Sequence, residues 1–420
     1  MSESAQPESE SRSAPGLGSI LEPLPFHRAI VEYLRTQEAE LWNWFSSTTF
    51  LDEYAATTRL ALLKSCYRFD PADHGDVYAL VHDVRERLGL SVPVTLYHSQ
   101  SVSGMNAALC YVPKEAHLVL EGPIRTTLSL DEQRAIFAHE LAHYLLWERQ
   151  DGALLVADQM LNAMCSHVQA APSQLETARL FRLYLEVHCD RMALAACPDP
   201  LVAISALIKV QTGLADAQAE SYLRQSDEIF GQTDTKAEAV THPETFIRAR
   251  ALKLWADGGD AAEAEITRMI EGVPDLGRLS LLGQQRYGDV TRQILARFLA
   301  PVWLRSDAIV AHARLFFPDL DPAAAAEMAP ETLAGAFEKA NESLRKYACY
   351  VLLDLATVDP GLEQAPLAAA LRVSQELGID EAFLSLAGQE LDLTKRALAR
   401  LKKDSAKLEA DAAGAAPAEP

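Results

Sequence analysis

Residues 137–144 have the sequence FAHELAHY and contain the pattern HExxH. His139 and His143 are four residues apart, so on an α-helix they lie on one face, about one turn from each other. Two imidazoles in this arrangement can hold one zinc ion from the same side. Glu140 follows the first histidine and can reach a water molecule at the metal without being a ligand, as a general base requires. The stretch therefore predicts a metal-binding helix that carries a catalytic carboxylate.

The flanking residues predict that the pattern lies in the middle of a helix. Ser129 and Glu132 have the spacing of a capping box, which marks a helix N-terminus. Gly152 is a suitable stop at the other end. Between them, a buried face can be formed by Ala135, Ile136, Leu141, Ala142 and Leu145. The alternative to a metal site is a core helix whose two histidines are satisfied by hydrogen bonds.

A zinc hydrolase needs a third protein ligand and an open position for water. The metzincin pattern requires a glycine at 146 and takes the third ligand from a histidine at 149, but this chain has Leu146 and Arg149. The third ligand must therefore come from another element of the fold.

Glu186 is the best candidate for that ligand. A second capping box at Ser173 and a proline at position 198 predict a helix with Glu186 in its middle. His188 is the alternative, but two residues of helix turn it about 200° from Glu186, so only one of them can face the metal. We favour Glu186 because Asp190, four residues further on, then faces the site and can orient a ligand histidine.

The combination of HExxH with a helix carrying Glu186 and Asp190 resembles metallopeptidase family forty-eight. This gluzincin family includes the HtpX heat-shock protease and the CaaX prenyl protease. Asn106-Ala107, in the approach to the HExxH helix, and His242-Pro243 with Arg248 six residues after His242 are similar to further elements of that family. The resemblance covers residues from roughly 75 to 255.

The resemblance implies a site for one zinc ion per chain, with the ligands His139, His143 and Glu186. It implies that Glu140 is the general base and that Asp190 orients a ligand. It places His242 near the open metal position, where this side chain can stabilise the oxyanion, control access, or act as a fourth ligand that keeps the enzyme inhibited. A loop histidine before a helix N-terminus, with Pro243 at its first position, is the alternative. The loop at residues 231–240 is predicted to be mobile.

Three segments before the HExxH helix are predicted to be strands of a small antiparallel sheet, namely 92–99, 107–112 and 117–121. An exposed sheet edge beside a zinc helix can pair with an extended peptide and lay its carbonyl across the metal. We expect Leu118, Val119 and Leu120 to form that edge and so to bind the substrate.

The predicted fold is mostly α with a small antiparallel β-sheet, a zincin-like α+β catalytic domain, followed by an all-α domain. The chain becomes Ala-rich and helical after Gly258-Gly259, without a further metal pattern. The predicted segments are a disordered tail at 1–21, the zinc metallopeptidase domain at 22–258, an all-helical domain at 259–402 and a second disordered tail at 403–420.

The C-terminal helical domain carries a second resemblance. Residues 351–359, followed by Leu377-Gly378, resemble the TerB tellurite-resistance domains over roughly residues 280 to 400. Asp354, Asp359 and Glu363 follow in a helix–turn–helix spacing, and this acidic group either holds a hard cation or forms a solvated helix face.

Composition limits the partners and the compartment. The chain has 420 residues and a net charge of -21, which argues against binding nucleic acid or anionic lipid. Six scattered cysteines without a CxxC pair indicate reduced thiols in a cytoplasmic protein. No signal peptide and no run of about 18 apolar residues is visible. We therefore expect no membrane span, unlike HtpX and the prenyl proteases.

The expected function is a zinc-dependent endopeptidase that hydrolyses a protein or peptide substrate, with a regulatory protein partner binding the C-terminal helical domain. The alternative is a catalytically silent or autoinhibited metalloprotease-like protein that acts as a helical interaction scaffold. The intact Glu140 favours the enzyme, because a structural zinc site needs no base and is normally closed by a fourth protein ligand.

Overall fold

The computed structural model describes residues 22–100, 104–233, 235–322, 333, 337 and 341–414, without the side chains of 48–51 and 408–414. The chain separates into two compact units, one ending at Gly272 and the other beginning at Val273. The boundary predicted after Gly258 lies before this division, because Ile266 and Met269 of the following helix are buried in a core of the first unit. The tail predicted at 1–21 lies outside the described residues.

The first unit holds the predicted strands and both predicted site helices. Its helices are α1 (Pro25–Gln37), α2 (Ala39–Phe45), α3 (Thr48–Ser65), α4 (Gly75–Arg87), α5 (Ile124–Thr127), α6 (Leu130–Glu148), α7 (Ala153–Ser166), α8 (Pro172–Ala193), α9 (Pro200–Thr212), α10 (Ala219–Gln232), α11 (Thr245–Gly258) and α12 (Glu263–Glu271). Its strands are β1 (Cys66–Arg68), β2 (Val94–Ser99), β3 (Asn106–Val112) and β4 (Glu115–Glu121). The predicted fold class, mostly helical with one small sheet, is confirmed.

The sheet has the strand order β1-β2-β4-β3 and is mixed, not purely antiparallel. Strands β2 and β4 are parallel, whereas the other neighbouring pairs are antiparallel. This arrangement arises because β3 and β4 form a tight hairpin around Pro113-Lys114, and β4 inserts between β2 and β3. The prediction that Leu118, Val119 and Leu120 form an exposed edge is therefore wrong: β4 is paired on both sides, and the edge strands are β1 and β3.

Helix α6 carries the HExxH pattern, and its N-terminus is the predicted capping box. Ser129 Oγ accepts the N–H of Glu132 at 3.3 Å, and Glu132 Oε2 accepts the N–H of Ser129 at 2.8 Å. The helix ends at Glu148, and the chain reverses through three residues with positive φ that finish at Gly152. Residues from the sheet, α4, α6 and α9 share one hydrophobic core, so this core fixes the position of α6.

Helix α8 carries Glu186 and begins two residues earlier than a cap at Ser173 would require. Ala171 is the N-cap, Pro172 is the first helical residue, and the side chain of Gln174 accepts the N–H of Ala171 at 2.9 Å. The predicted capping box at Ser173 is therefore wrong, because the proline starts the helix ahead of it. Helix α8 is buried over most of its length, so it runs through the unit and not over its surface.

The second unit is helical in its described residues. Its helices are α13 (Leu281–Phe298), α14 (Asp307–Phe316), α15 (Glu342–Thr357), α16 (Ala365–Glu376), α17 (Asp380–Glu390) and α18 (Lys395–Gly414). The tail predicted from residue 403 is wrong in its first part, since Ser405 is buried and α18 continues to Gly414. Residues 415–420 lie outside the described part. Throughout the described helices of both units, none is long and apolar enough to cross a bilayer.

Candidate metal centre

Helices α6 and α8 pack against each other and bring three predicted ligands together. His139 Nε2 lies 3.3 Å from Glu186 Oε2, and His143 Nε2 lies 3.4 Å from Glu186 Oε1. The metal-binding atoms of these three buried residues all lie within 4.8 Å of one another. Two ligand atoms on a tetrahedral zinc, each about 2.0–2.1 Å from the ion, are separated by about 3.3–3.4 Å. Each histidine is close to a different oxygen of Glu186, and the three side chains lie close enough together to share one ion.

His188 does not lie in this group. It is fully buried on another side of α8, beside a cavity lined by Leu24, Tyr184 and Trp255. Burial lowers the pKa of its imidazole well below the usual value, so the ring is neutral. Of the two alternatives from the sequence, the structure places Glu186 beside the histidines.

Asp190 joins the histidine pair to Arg248. Its Oδ1 lies 2.9 Å from His139 Nδ1, so the ring nitrogen that faces away from Glu186 has a carboxylate partner. Arg248 donates to both oxygens of Asp190, from Nε at 2.7 Å and from Nη2 at 2.6 Å. Burial alone would raise the pKa of Asp190, but Arg248 outweighs it and lowers the pKa. Asp190 is therefore a fixed anion in contact with the ring of His139.

The electrostatics of the group favour a positive charge at His139. Burial opposes the cationic imidazole, but the carboxylates of Asp190 and Glu186 outweigh it and raise the pKa of His139 to about 10. The pKa of Glu186 is held well below its usual value by the two histidines, against the effect of burial. A buried pair of anions facing two imidazoles is a suitable environment for a divalent cation.

Glu140 lies next to the ligands but outside the three-residue group. Its Oε2 accepts the backbone N–H of Leu109 in strand β3 at 2.8 Å. Burial is the largest influence on this carboxyl and raises its pKa above the usual value. Glu140 therefore has one oxygen fixed by the sheet and an increased affinity for a proton, as a general base needs.

Leu109 is a site residue that the sequence did not reveal. The strand pattern predicted β3 correctly but contains no signal for which strand is the edge. Asn106, which the family resemblance singled out, is exposed at the start of the same strand and is paired with Glu121.

His242 lies at the solvent side of the group, in the loop between α10 and α11. Its Nε2 is 3.6 Å from Glu186 Oε1, and its Nδ1 is 3.0 Å from Thr241 Oγ1. The side chain is 60% exposed, whereas the three ligands are buried. His242 in this loop and Arg248 in the following helix α11 therefore both lie at the predicted site.

Asp354 and Asp359, which belong to the acidic group predicted in the second unit, make other contacts. Asp354 lies 2.6 Å from His312, and Asp359 accepts the N–H of Gly361 at 2.9 Å. Among the described residues, the three side chains on α6 and α8 form the one group with the geometry for a metal ion. All six cysteines are unpaired.

Comparison with known proteins finds one curated relative. The chain is 26% identical over 200 residues to the plastoglobule-localized metallopeptidase 48, chloroplastic, of Arabidopsis thaliana. The match covers 43% of this chain and 57% of the relative, so the chain spans little more than half of that protein's length. No protein-family model and no solved structure matches.

The match supports a metallopeptidase-like protein at the level of the family. The metal-ligand group on α6 and α8 agrees with that class. The resemblance of the second unit to TerB domains stays a prediction.

Proposed function

We propose that this protein is a zinc-dependent endopeptidase of the gluzincin type. The observation that carries the proposal is the buried group of His139, His143 and Glu186, whose ligand atoms all lie within 4.8 Å of one another and so within reach of one ion. Two imidazoles and one carboxylate are a ligand set that catalytic zinc sites use, and this set leaves a position open. The similarity to a metallopeptidase supports the same conclusion.

The roles of the side chains follow from their positions. Zinc held by the three ligands would supply Lewis acidity toward the peptide carbonyl and lower the pKa of water to about 7. Glu140 accepts the proton of the attacking water and donates it to the leaving amine. The N–H of Leu109 holds one oxygen of Glu140, so the other oxygen is available for that proton. Asp190, fixed by Arg248, keeps the ring of His139 in the ligand orientation.

Strand β3 is the proposed contact for the substrate backbone, in place of β4. The N–H of Leu109 points away from β4 and toward Glu140, so the unpaired side of β3 faces the catalytic helix. Backbone groups at alternate positions of an edge strand point the same way, and an extended peptide can pair with them. A substrate bound there would lie beside the general base.

His242 is proposed to act on the substrate and not as a fourth ligand. Its Nδ1 is engaged by Thr241, which leaves Nε2 directed toward Glu186 and the open side of the site. From that position Nε2 can donate a hydrogen bond to the negative charge that develops on the carbonyl oxygen. Arg248 lies deeper and contacts the carboxylates of Asp190 and Glu186, so it has a structural role.

The proposal is tested with the full-length protein and its Glu140→Gln variant. Zinc content is measured by elemental analysis, and cleavage is measured with unfolded casein and a fluorogenic peptide library. We expect one zinc per chain in both proteins, cleavage by the parent that a chelator abolishes and zinc restores, and none by the variant. Zinc-loaded parent protein without cleavage of any substrate in the library, or equal cleavage by the variant, would refute the proposed enzyme.

A further inference from the structure

The loop that carries His242 is anchored at several points, although the sequence predicted a mobile segment. The carbonyls of Ala237 and Ala239 both accept hydrogen bonds from Nη1 of Arg179, at 3.0 and 3.3 Å. The N–H of Ala237 donates to the carbonyl of Met269 in α12 at 2.8 Å. Ala237 itself is fully buried. These bonds fix the backbone a few residues before His242.

Arg179 is suited to this task because it is itself fixed. Only 5% of the residue is exposed. Its Nε and Nη2 donate to the two oxygens of Glu176, at 3.0 and 2.7 Å, in a bidentate pair on the same helix. That pair leaves Nη1 directed at the loop carbonyls. A buried, bidentate guanidinium loses little further entropy when it forms such bonds.

Glu244, which follows His242 and Pro243, binds the same segment of the loop. Its Oε1 accepts the backbone N–H groups of Glu238 and Ala239, both at 3.0 Å. Arg179 therefore holds the carbonyls of this short segment while Glu244 holds its N–H groups. We call the bonds from Arg179 and Glu244 to residues 237–239 the loop clamp. It is separate from the contact between Arg248 and Asp190.

We propose that Arg179 is a positioning residue, which holds His242 beside the metal ligands by tying its loop to the helix that supplies Glu186. Arg179 and Glu186 are seven residues apart on α8, which is about two turns and returns to nearly the same face. One rigid helix thus sets both the metal ligand and the anchor of the loop. The 3.6 Å separation of His242 Nε2 from Glu186 Oε1 depends on this common frame. The inference rests on the proposed peptidase function for its catalytic consequence, but not for the clamp itself.

The experiment compares three single variants of the full-length protein, together with His242→Ala and the double variant Arg179→Met/His242→Ala. Arg179→Met removes the donors to the loop, and Glu244→Gln weakens the opposite side of the clamp. Arg182→Met is the control, since Arg182 lies three residues further along α8 and contacts Asn162 instead of the loop. Two measurements are made on each: hydrogen exchange of a peptide covering residues 235–243, and kcat, KM and zinc content.

We expect faster exchange in residues 235–243 for Arg179→Met and Glu244→Gln, but not for Arg182→Met. We expect kcat of Arg179→Met to fall on the order of 10²-fold, because small misplacements of a catalytic group have effects of that size. Zinc content and KM should stay near the parental values. The double variant Arg179→Met/His242→Ala should lose no more kcat than His242→Ala alone, because both changes remove the same contribution.

Unchanged exchange in both folded variants would overturn the clamp. Additive losses of kcat in the double variant would overturn the positioning role, because Arg179 would then act independently of His242. If Arg179→Met does not fold, Glu244→Gln carries the same comparison with His242→Ala. A parent protein that hydrolyses no substrate would contradict the proposed peptidase function. The exchange measurement would still decide whether Arg179 holds the loop.

Discussion

Replacing Asp190 by Asn tests how the metal ligands are held. The substitution keeps the shape of the side chain but removes the anion that lies 2.9 Å from His139 Nδ1 and 2.6 Å from Arg248. Loss of a carboxylate that orients a ligand histidine typically lowers metal affinity by about 10–100-fold, or about 1.4–2.7 kcal/mol. We expect zinc affinity to fall by that amount, because the ring of His139 loses its charged acceptor.

The same substitution should destabilise the fold through a different contact. The side chain of Arg248 is only 12% exposed, and after the substitution the carboxylate that remains near its guanidinium is the more distant Glu186, at 3.6 Å. Breaking a buried ion pair by removing one partner costs about 3–5 kcal/mol. The double variant Asp190→Asn/Arg248→Gln removes the unpaired charge as well. It should regain much of the stability, but it should not regain the zinc affinity, because His139 still faces a neutral amide instead of a carboxylate.

Zinc affinity is measured by competition with a chromophoric chelator, and stability by chemical denaturation of the metal-free protein. Asp131→Asn is the matched control, because Asp131 is 68% exposed at the start of α6 and contacts Arg134 instead of the ligands. It should change neither quantity by more than a small amount. A folded Asp190→Asn protein with parental zinc affinity would refute the orienting role, and a double variant that regains affinity would assign the effect to Arg248 instead.

Three further predictions concern other parts of the first unit. Glu140→Gln should keep zinc and lower kcat by about 10²–10⁴-fold, measured with metal content on the same sample, because it removes the base but no ligand. Burial lowers the pKa of His27 from its usual value of about 6.5 to about 4. Between these two pH values the unfolded chain binds a proton at His27, whereas the folded chain does not. His27 should therefore contribute a fall of about 3 kcal/mol in the free energy of unfolding from pH 7 to pH 4, and the fall measured in denaturation curves of His27→Gln should be smaller by that amount. Ser129→Ala should lower the free energy of unfolding by about 1 kcal/mol at neutral pH, because α6 loses its N-cap, and an unchanged denaturation midpoint would contradict the cap.

The helices around the site could be predicted because their signals are local. The i, i+4 spacing of His139 and His143 needs only one helix, and the capping box at Ser129 fixes where that helix begins. Glu186 could be proposed over His188 because helix geometry lets only one of them share a face with Asp190. The start of α8 was misplaced because Pro172 is a stronger signal for the first turn than Ser173.

The contacts that complete the site could not be predicted, because they join segments far apart in the sequence. The pairing of β4 with β2 depends on how the hairpin docks, and an alternating strand pattern does not determine its neighbours. The bond from Leu109 to Glu140 follows from that docking. The loop before His242 has a polar composition typical of mobile segments, but Arg179 anchors it from 58 residues away.

The most direct test of the central claim is X-ray absorption spectroscopy at the zinc edge of the reconstituted full-length protein. We predict one four-coordinate zinc with nitrogen and oxygen neighbours at about 2.0–2.1 Å, including two imidazoles, and no sulfur neighbour. A spectrum with sulfur at about 2.3 Å would contradict the assignment, because it would place a cysteine at the metal instead of Glu186. Failure to retain any zinc after reconstitution would contradict it as well.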